Sequence, residues 1–173
     1  SYNIKNSAPS RTNGTKGIYY LPWNSGITFS VSRAGVDHGN AIDFILPKDT
    51  TVRAARGGTI TKIIEKYSAT GCISTLPANY VEIKDTATGE ISRYLHLKTN
   101  SVPDSLAVGK VINRGTIIGL SSNVGYSCGQ NGGYHLHFEV LKDGKRLIPF
   151  FADVQGGTVY SGKSYTPRGE IVY

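Results

Sequence analysis

The sequence predicts an all-β fold, in which short strands form one closed or sandwiched antiparallel sheet. Glycine accounts for 21 of the 173 residues, against a usual share of ~7%. Methionine is absent, and short apolar segments separated by glycine recur along the chain. Glycine favours turns and β-branched residues favour strands, so we expect no helix of appreciable length.

The chain is predicted to form one domain after a short lead-in. Residues 1–17 are polar, which indicates a flexible N-terminal lead-in, and we expect residues 18–173 to form a single β-rich domain. Residues 27–31 alternate between apolar and polar, as a strand with one buried face does. Residues 41–46 form a short apolar run that ends at Pro47 and predicts the next strand.

Three pairs of strands are predicted to form hairpins. The first covers residues 50–66 and turns at its Gly-Gly pair, and the second covers residues 80–97. The third covers residues 134–150 and turns at an Asp-Gly pair. Between them, residues 108–120 predict short strands marked by glycine, whereas residues 152–173 form a tail to which we assign no role.

The net charge narrows the classes of partner. Nineteen Lys and Arg residues against twelve Asp and Glu residues give a net charge of +7, which favours polyanions such as nucleic acid, anionic membranes or a bacterial wall. The basic residues are scattered and no recognition helix is predicted, so a nucleic-acid partner is not expected. No apolar run approaches the ~20 residues that cross a bilayer, so no membrane span is expected.

The two cysteines indicate an exported protein. Cys72 and Cys128 lie far apart and lack the spacing of a CxxC motif, and the chain starts at Ser1 without any methionine. We interpret this as a mature product that has lost a leader, and therefore as a secreted protein. In an exported chain, two cysteines predict one disulfide. The alternatives are two buried free thiols or zinc ligation by cysteine.

All four histidines lie in short motifs beside predicted strands. His135 and His137 are two residues apart, so a strand places both on one face, with Leu136 and Phe138 on the other. Two adjacent imidazoles are costly to bury unless a metal ion or a shared proton relay holds them. By itself, however, this pair is also compatible with ordinary polar residues on a sheet.

Two further histidines and an acid complete the pattern. His38 precedes Asp43 by five positions, and Asp43 heads an apolar strand, where its carboxylate could bind the same metal. His96 lies at the end of another strand, between two apolar residues. Each residue alone could be a strand-end polar group or a turn cap. Together, two histidines and one carboxylate leave the fourth position of zinc open, which is the arrangement of a catalytic site.

These motifs resemble those of the lysostaphin/LytM-type zinc endopeptidases, which are relatives of the β-lytic proteases. The family has an early His followed by Asp, a middle His in a Tyr-x-His-Leu stretch and a late His-x-His. Here these are His38 with Asp43, His96 in 94–97, and 135–137. The similarity spans roughly residues 35–150 and includes the glycine-marked segment 108–119.

The resemblance implies a site and a fold. His38, Asp43 and His137 map to the ligands of one zinc ion, and His96 and His135 map to the catalytic pair. The implied fold is a small sandwich or open barrel with the site in a groove between loops. Four residues separate His38 from Asp43, where three are usual. The family also tends to place a tyrosine near the metal, and the candidates here are Tyr94, Tyr126 and Tyr134.

The resemblance also implies an activity. The expected protein is a secreted, monomeric zinc metalloendopeptidase that hydrolyses peptidoglycan peptides, at or near glycine, and other glycine-rich peptides. Zinc lowers the pKa of bound water toward ~7, one imidazole orients or deprotonates that water, and the other stabilises the oxyanion. Which histidine does which stays open. Glu139 lies on the same strand face as His137, and we interpret it as a residue that supports the site from behind or from the surface.

Two readings without catalysis compete with this one. The chain could be a binding or regulatory module of the same fold that acts on the bacterial wall, but such modules are expected to lack one or more site residues. All five polar positions are present here. A protein that only stores metal or binds the wall would leave His96 unexplained. The sequence therefore favours an enzyme.

Overall fold

The computed structural model describes residues 7–168, which contain fourteen strands and two short 3₁₀ turns, at Val36–His38 and Asn131–Gly133. The strands are β1 (Gly14–Tyr19), β2 (Phe29–Ala34), β3 (Ile42–Phe44), β4 (Thr51–Arg53), β5 (Gly58–Ile64), β6 (Thr70–Gly71), β7 (Tyr80–Lys84), β8 (Ile91–Leu95), β9 (Val111–Ile112), β10 (Ile117–Leu120), β11 (Gly125–Tyr126), β12 (Leu136–Lys142), β13 (Lys145–Phe151) and β14 (Ser164–Tyr165). Within this part of the chain no helix has the length and hydropathy needed to span a bilayer.

Ten strands form one open sheet. Its order is β14-β2-β3-β12-β8-β7-β5-β9, and β13 joins β12 and carries β1 as a parallel neighbour. All other pairs in this sheet are antiparallel. Two small sheets, β4 with β10 and β6 with β11, complete the described fold. The predicted all-β, antiparallel class is therefore confirmed, in an open form and not as a closed barrel.

Two of the three predicted hairpins are confirmed. Strands β7 and β8 pair with each other, as do β12 and β13. The hairpin predicted at residues 50–66 is wrong, because β4 pairs with β10 and β5 pairs with β7 and β9. Its two glycines are instead needed because neighbouring backbone passes very close to them. A Cβ on Gly58 would lie 2.4 Å from the Lys84 carbonyl oxygen, and a Cβ on Gly57 would lie 2.9 Å from the Ile112 carbonyl oxygen.

Regular structure begins earlier than predicted. Strand β1 starts at Gly14, inside the segment 1–17 that was expected to be a flexible lead-in, while residues 1–6 lie outside the described part. The buried carboxylate of Glu90 accepts hydrogen bonds from the Gly17 amide and the Tyr19 hydroxyl, at 3.1 and 3.0 Å. These bonds hold β1 against the rest of the domain.

The core lies behind the central strand β12. Phe138 is fully buried, and its ring lies 5.2 to 6.4 Å from those of Tyr19, Phe44, Tyr94 and Phe151. Edge and tilted contacts of this kind add to the free energy gained by burying aromatic surface. Because alternate residues of a strand face opposite sides, this packing fixes the direction of the polar residues on the other face of β12.

The predicted disulfide is present. Cys72 and Cys128 are bonded, with their Cα atoms 4.6 Å apart. The bond joins the loop after β6 to the loop after β11, next to the parallel pairing of these two short strands. Neither cysteine is a free thiol or a metal ligand, so both alternative interpretations are excluded.

Reduction of this disulfide is expected to lower thermal stability without loss of metal. The bond closes a loop with a sequence separation of 56, for which the chain-entropy model gives about 4 kcal/mol. For a domain of this size that corresponds to a fall in Tm of about 10 °C. Calorimetry of the protein with and without reductant measures the shift, and Cys72→Ser/Cys128→Ser is the control for reductant effects. A shift below about 2 °C would contradict the expectation.

Candidate metal centre

One groove contains the five residues that the sequence assigned to the metal and to the catalytic pair. Its volume is about 1000 Å³, and its floor and walls come from the ends of β2, β3, β8 and β12 and from the loops that the disulfide joins. Its lining includes all five candidate residues, namely His38, Asp43, His96, His135 and His137. The structure thus brings together residues that are up to 99 positions apart in the sequence.

Strand pairing explains this convergence. Asp43 on β3 and His137 on β12 are directly opposite in the antiparallel register, and Leu95 on β8 faces His137 from the other side. Opposite residues of an antiparallel pair direct their side chains to the same face. His96 follows β8 at once and has a left-handed backbone with φ of 65°. Such a conformation is unusual outside glycine and often marks functional positions.

A tight turn brings His38 to the same place. The 3₁₀ turn that ends at His38 lies between two glycines, Gly35 and Gly39, with φ of 89° and 58°. The His38 amide donates to the Gly35 carbonyl at 3.0 Å, and the Ala41 amide donates to the His38 carbonyl at 3.1 Å. This turn absorbs the longer spacing between His38 and Asp43, so the extra residue does not remove His38 from the site.

Three donor atoms converge as ligands of one cation do. Asp43 Oδ1 lies 3.0 Å from His38 Nε2 and 2.9 Å from His137 Nδ1, and the three side chains offer ligand atoms that all lie within 4.8 Å of one another. His38 Nε2 is buried without a hydrogen-bond partner, because its approach to Asp43 lacks hydrogen-bond geometry. Two imidazole nitrogens and one carboxylate fit a zinc ion with an open fourth position.

The other two histidines form a second pair beside this centre. The rings of His96 and His135 are 4.5 Å apart, and His135 Nε2 is 3.8 Å from Asp43 Oδ1. His96 Nδ1 donates to the Val124 carbonyl and His135 Nδ1 donates to the Gly133 carbonyl, both at 2.8 Å. Since a carbonyl oxygen only accepts, each neutral ring carries its hydrogen on Nδ1. Nε2 of each ring is then free to accept a proton.

The charges of the site follow from burial and contact. Burial lowers the pKa of His96 to about 4, with a further contribution from His135, so this ring is neutral at pH 7. Burial alone would raise the pKa of Asp43, but the hydrogen bond with His137 and the nearby imidazoles hold it well below its usual value. Asp43 is therefore a carboxylate in the folded chain, as a metal ligand must be.

The structure sorts the three tyrosine candidates. Tyr94 is fully buried, accepts a hydrogen bond from the Ala55 amide at 2.8 Å and donates one to Ser92 Oγ at 3.2 Å. Its proposed place near the metal is wrong, because its hydroxyl is used inside the core, where burial raises its pKa to about 12. Tyr126 and Tyr134 both line the groove and stay candidates.

One neighbour of His135 was missed in the sequence. Ser127 Oγ donates to the Gly133 carbonyl and lies 3.4 Å from His135 Nδ1, so it helps to fix the loop that holds this ring. A serine in a Ser-, Asn- and Gly-rich loop gives no signal of such a role. The loop is held by the 3₁₀ turn before Tyr134 and by the disulfide at Cys128, and the second of these contacts is not local in sequence.

The sequence of residues 37–149 matches the profile of peptidase family M23. The matched range covers about two thirds of the chain and contains all five candidate residues. The chain belongs to peptidase family M23. A comparison with curated proteins finds no match.

Solved structures share this M23 fold. The deep-sea M23 metalloprotease pseudoalterin has a TM-score of 0.54 at 23% identity, over 75% of this chain and 73% of that chain. The catalytic domain of EnpA from Enterococcus faecalis has a TM-score of 0.52 at 21% identity, over 79% and 98%. Helicobacter pylori Csd3 has a TM-score of 0.53 at 19% identity, over 90% of this chain but only 36% of that chain. At these identities the similarity concerns the fold.

Metal uptake by this M23 domain is expected to be strongly pH-dependent. Burial lowers the pKa of His137, but hydrogen bonds to Asp43 and Glu139 outweigh it and raise the pKa to about 9. Below that pH the metal-free ring carries a proton that a cation must displace, whereas above it no proton competes. We therefore expect apparent zinc affinity to rise about tenfold per pH unit from about 7 to 9 and then level off. Competition titrations against a chelator measure this slope, and a flat profile would contradict it.

Proposed function

We propose that the chain is a secreted zinc metalloendopeptidase, active as a monomer, that hydrolyses peptide bonds of bacterial peptidoglycan at or near glycine. The observation that carries this proposal is the convergence, in one groove, of a three-ligand cluster and two further histidines whose Nε2 atoms form no hydrogen bond within the described residues. A binding or regulatory module with this fold would have no need for the second histidine pair, His96 and His135.

The proposed roles follow from the contacts. His38 Nε2, Asp43 Oδ1 and His137 Nδ1 would hold one zinc ion, which when bound supplies a Lewis acid that polarises the peptide carbonyl and acidifies water. His96 and His135 each present a bare Nε2, so one can take the proton of the attacking water. The ring that takes this proton can pass it on to the leaving amine, and the other ring can donate a hydrogen bond to the developing oxyanion when its Nε2 has taken up a proton from solvent.

The groove lining supports a peptide substrate with little side-chain bulk and with acidic groups nearby. Gly129 lines the groove, and a Cβ there would meet nothing closer than the Gly133 Cα at 3.8 Å, so this position leaves room for a close backbone approach. Arg33 and Lys48 also line the groove, and neither forms an ion pair within residues 7–168, whereas Asp43 is the single acid of the lining. Together with the net charge of +7, this favours binding to an anionic wall.

The disulfide supports an extracytoplasmic location. Disulfides such as the one between Cys72 and Cys128 form and persist mainly in oxidising environments, for example those of secreted proteins. The peptidoglycan substrate lies in the same environment.

Mass spectrometry of cleavage products tests the proposal. The zinc-loaded chain is incubated with peptidoglycan from several Gram-positive walls and with pentaglycine, with and without a chelator. We expect soluble wall fragments and shortened glycine peptides that disappear when the chelator is present. A protein that binds zinc and wall but releases no product from any substrate would instead be a non-catalytic module of the M23 fold.

A further inference from the structure

Glu139 is a buried carboxylate behind the candidate metal centre. It is 1% exposed, and its Oε2 lies 3.4 Å from His137 Nε2, on the side of the ring opposite the nitrogen that faces Asp43. Its Oε1 accepts a hydrogen bond from Arg93 Nη1 at 2.8 Å, and its Oε2 accepts one from Arg146 Nε. A buried acid is costly unless it is paired in this way.

The sheet places these partners by register. Glu139 on β12 is directly opposite Arg93 on β8, and Arg93 is directly opposite Glu82 on β7. Arg93 Nε donates to Glu82 Oε1 at 2.7 Å, so the three side chains form a row of alternating charge across three strands. This row holds the Arg93 guanidinium in place from both sides.

Arg146 lies near Glu139 at the point where the strand that pairs with β12 changes from β3 to β13. Residues 136–138 of β12 pair with β3, whereas residues 140–142 pair with β13, and Glu139 lies between the two pairings. Arg146 on β13 is therefore beside Glu139 and also beside the turn that carries His38. A Cβ on Gly39 would lie 3.1 Å from Arg146 Nη1, so the guanidinium packs on the residue that follows His38.

We propose that Glu139 is a positioning residue for the metal centre, fixed by Arg93 and Arg146. By accepting a hydrogen bond from His137 Nε2–H, it keeps the hydrogen of the neutral ring on Nε2 and leaves the Nδ1 lone pair directed at Asp43 and the metal. Arg146 extends this support to the turn of His38. The inference rests on the proposed function, since it concerns the metal that the function requires.

The affinity for zinc tests this role without any measurement of catalysis. Competition with a chelator gives the Kd of the purified chain and of Glu139→Gln, which keeps the shape of the side chain and removes its charge. Loss of a carboxylate that orients a ligand histidine weakens metal binding by about 10–100-fold. Glu82→Gln is the matched control, because it removes the same type of charge from the same arginine but does not contact His137. We expect its Kd to stay within about twofold of wild type.

Further readouts separate positioning from folding. The ¹⁵N shifts of His137 in the zinc-loaded wild type should show a protonated Nε2, and the Nε2–H signal should shift in Glu139→Gln. If Glu139→Gln does not fold, Arg146→Gln is the second variant. It keeps the Glu139 carboxylate but removes one of the two arginines that fix it, and it should still weaken zinc binding several-fold. A folded Glu139→Gln with wild-type Kd overturns the inference. A wild-type chain that does not bind zinc overturns it together with the proposed function, whereas zinc binding without peptide cleavage overturns the function alone.

Discussion

His137→Ala is expected to leave a folded chain that no longer holds zinc. The variant removes one of three donors, and the remaining pair, His38 and Asp43, cannot hold zinc tightly against a chelator. Elemental analysis after dialysis should fall from about one zinc per chain to a small fraction of that. Hydrolysis of wall peptides should fall to the level of the chelated wild type.

The loss can be separated from unfolding because His137 lies on the groove face of β12. Leu136 and Phe138, its neighbours in sequence, face the core and keep their contacts in the variant. Circular dichroism and a melting curve should therefore match those of the metal-free wild type. Tyr126→Phe, at a groove residue outside the three-ligand cluster, is a matched control and should retain zinc. Full retention of zinc by His137→Ala would remove it from the ligand set.

The arrangement of the site could be predicted where it depends on local periodicity. A strand over residues 134–141 already placed His135 and His137 on one face and Phe138 in the core, because side chains alternate with period two. The structure confirms the burial of Phe138 and shows that β12 starts one residue after His135. The proximity of His38 and His96 to this pair, in contrast, was reached through the resemblance to a family and not through any local pattern.

The predictions were wrong or incomplete for features that depend on pairing between distant parts of the chain. The Gly57-Gly58 pair looks like a hairpin turn, but its glycines are required where the backbones of residues 84 and 112 pass close by. Tyr94 belongs to the same sequence motif as His96. Tyr94 lies on β8, however, and its side chain is buried in the core. Arg146 gave no signal at all, since its contact with Glu139 depends on where β13 replaces β3 beside β12.

His96→Ala is expected to retain zinc and lose most of its activity. His96 is outside the three-ligand cluster, and its Nδ1 is already used by the Val124 carbonyl at 2.8 Å. Its role would therefore be exerted through Nε2, which in the neutral ring accepts the proton of the attacking water and can donate to the oxyanion only after that protonation. Removal of such a group typically costs ~10²–10⁴-fold in rate. Because burial holds its pKa at about 4, the ring is neutral over the pH range in which the enzyme would work.

The left-handed backbone conformation of His96 determines which substitution is the better control. Its φ of 65° is tolerated by asparagine better than by alanine, so His96→Asn avoids part of the strain that His96→Ala introduces next to the buried Leu97. Both variants should contain about one zinc per chain, while kcat falls and the Kd for zinc stays near that of wild type. Activity within a few-fold of wild type in His96→Asn would show that His96 is structural. Loss of zinc from both variants would make His96 a ligand and would require one of the three assigned donors to be replaced.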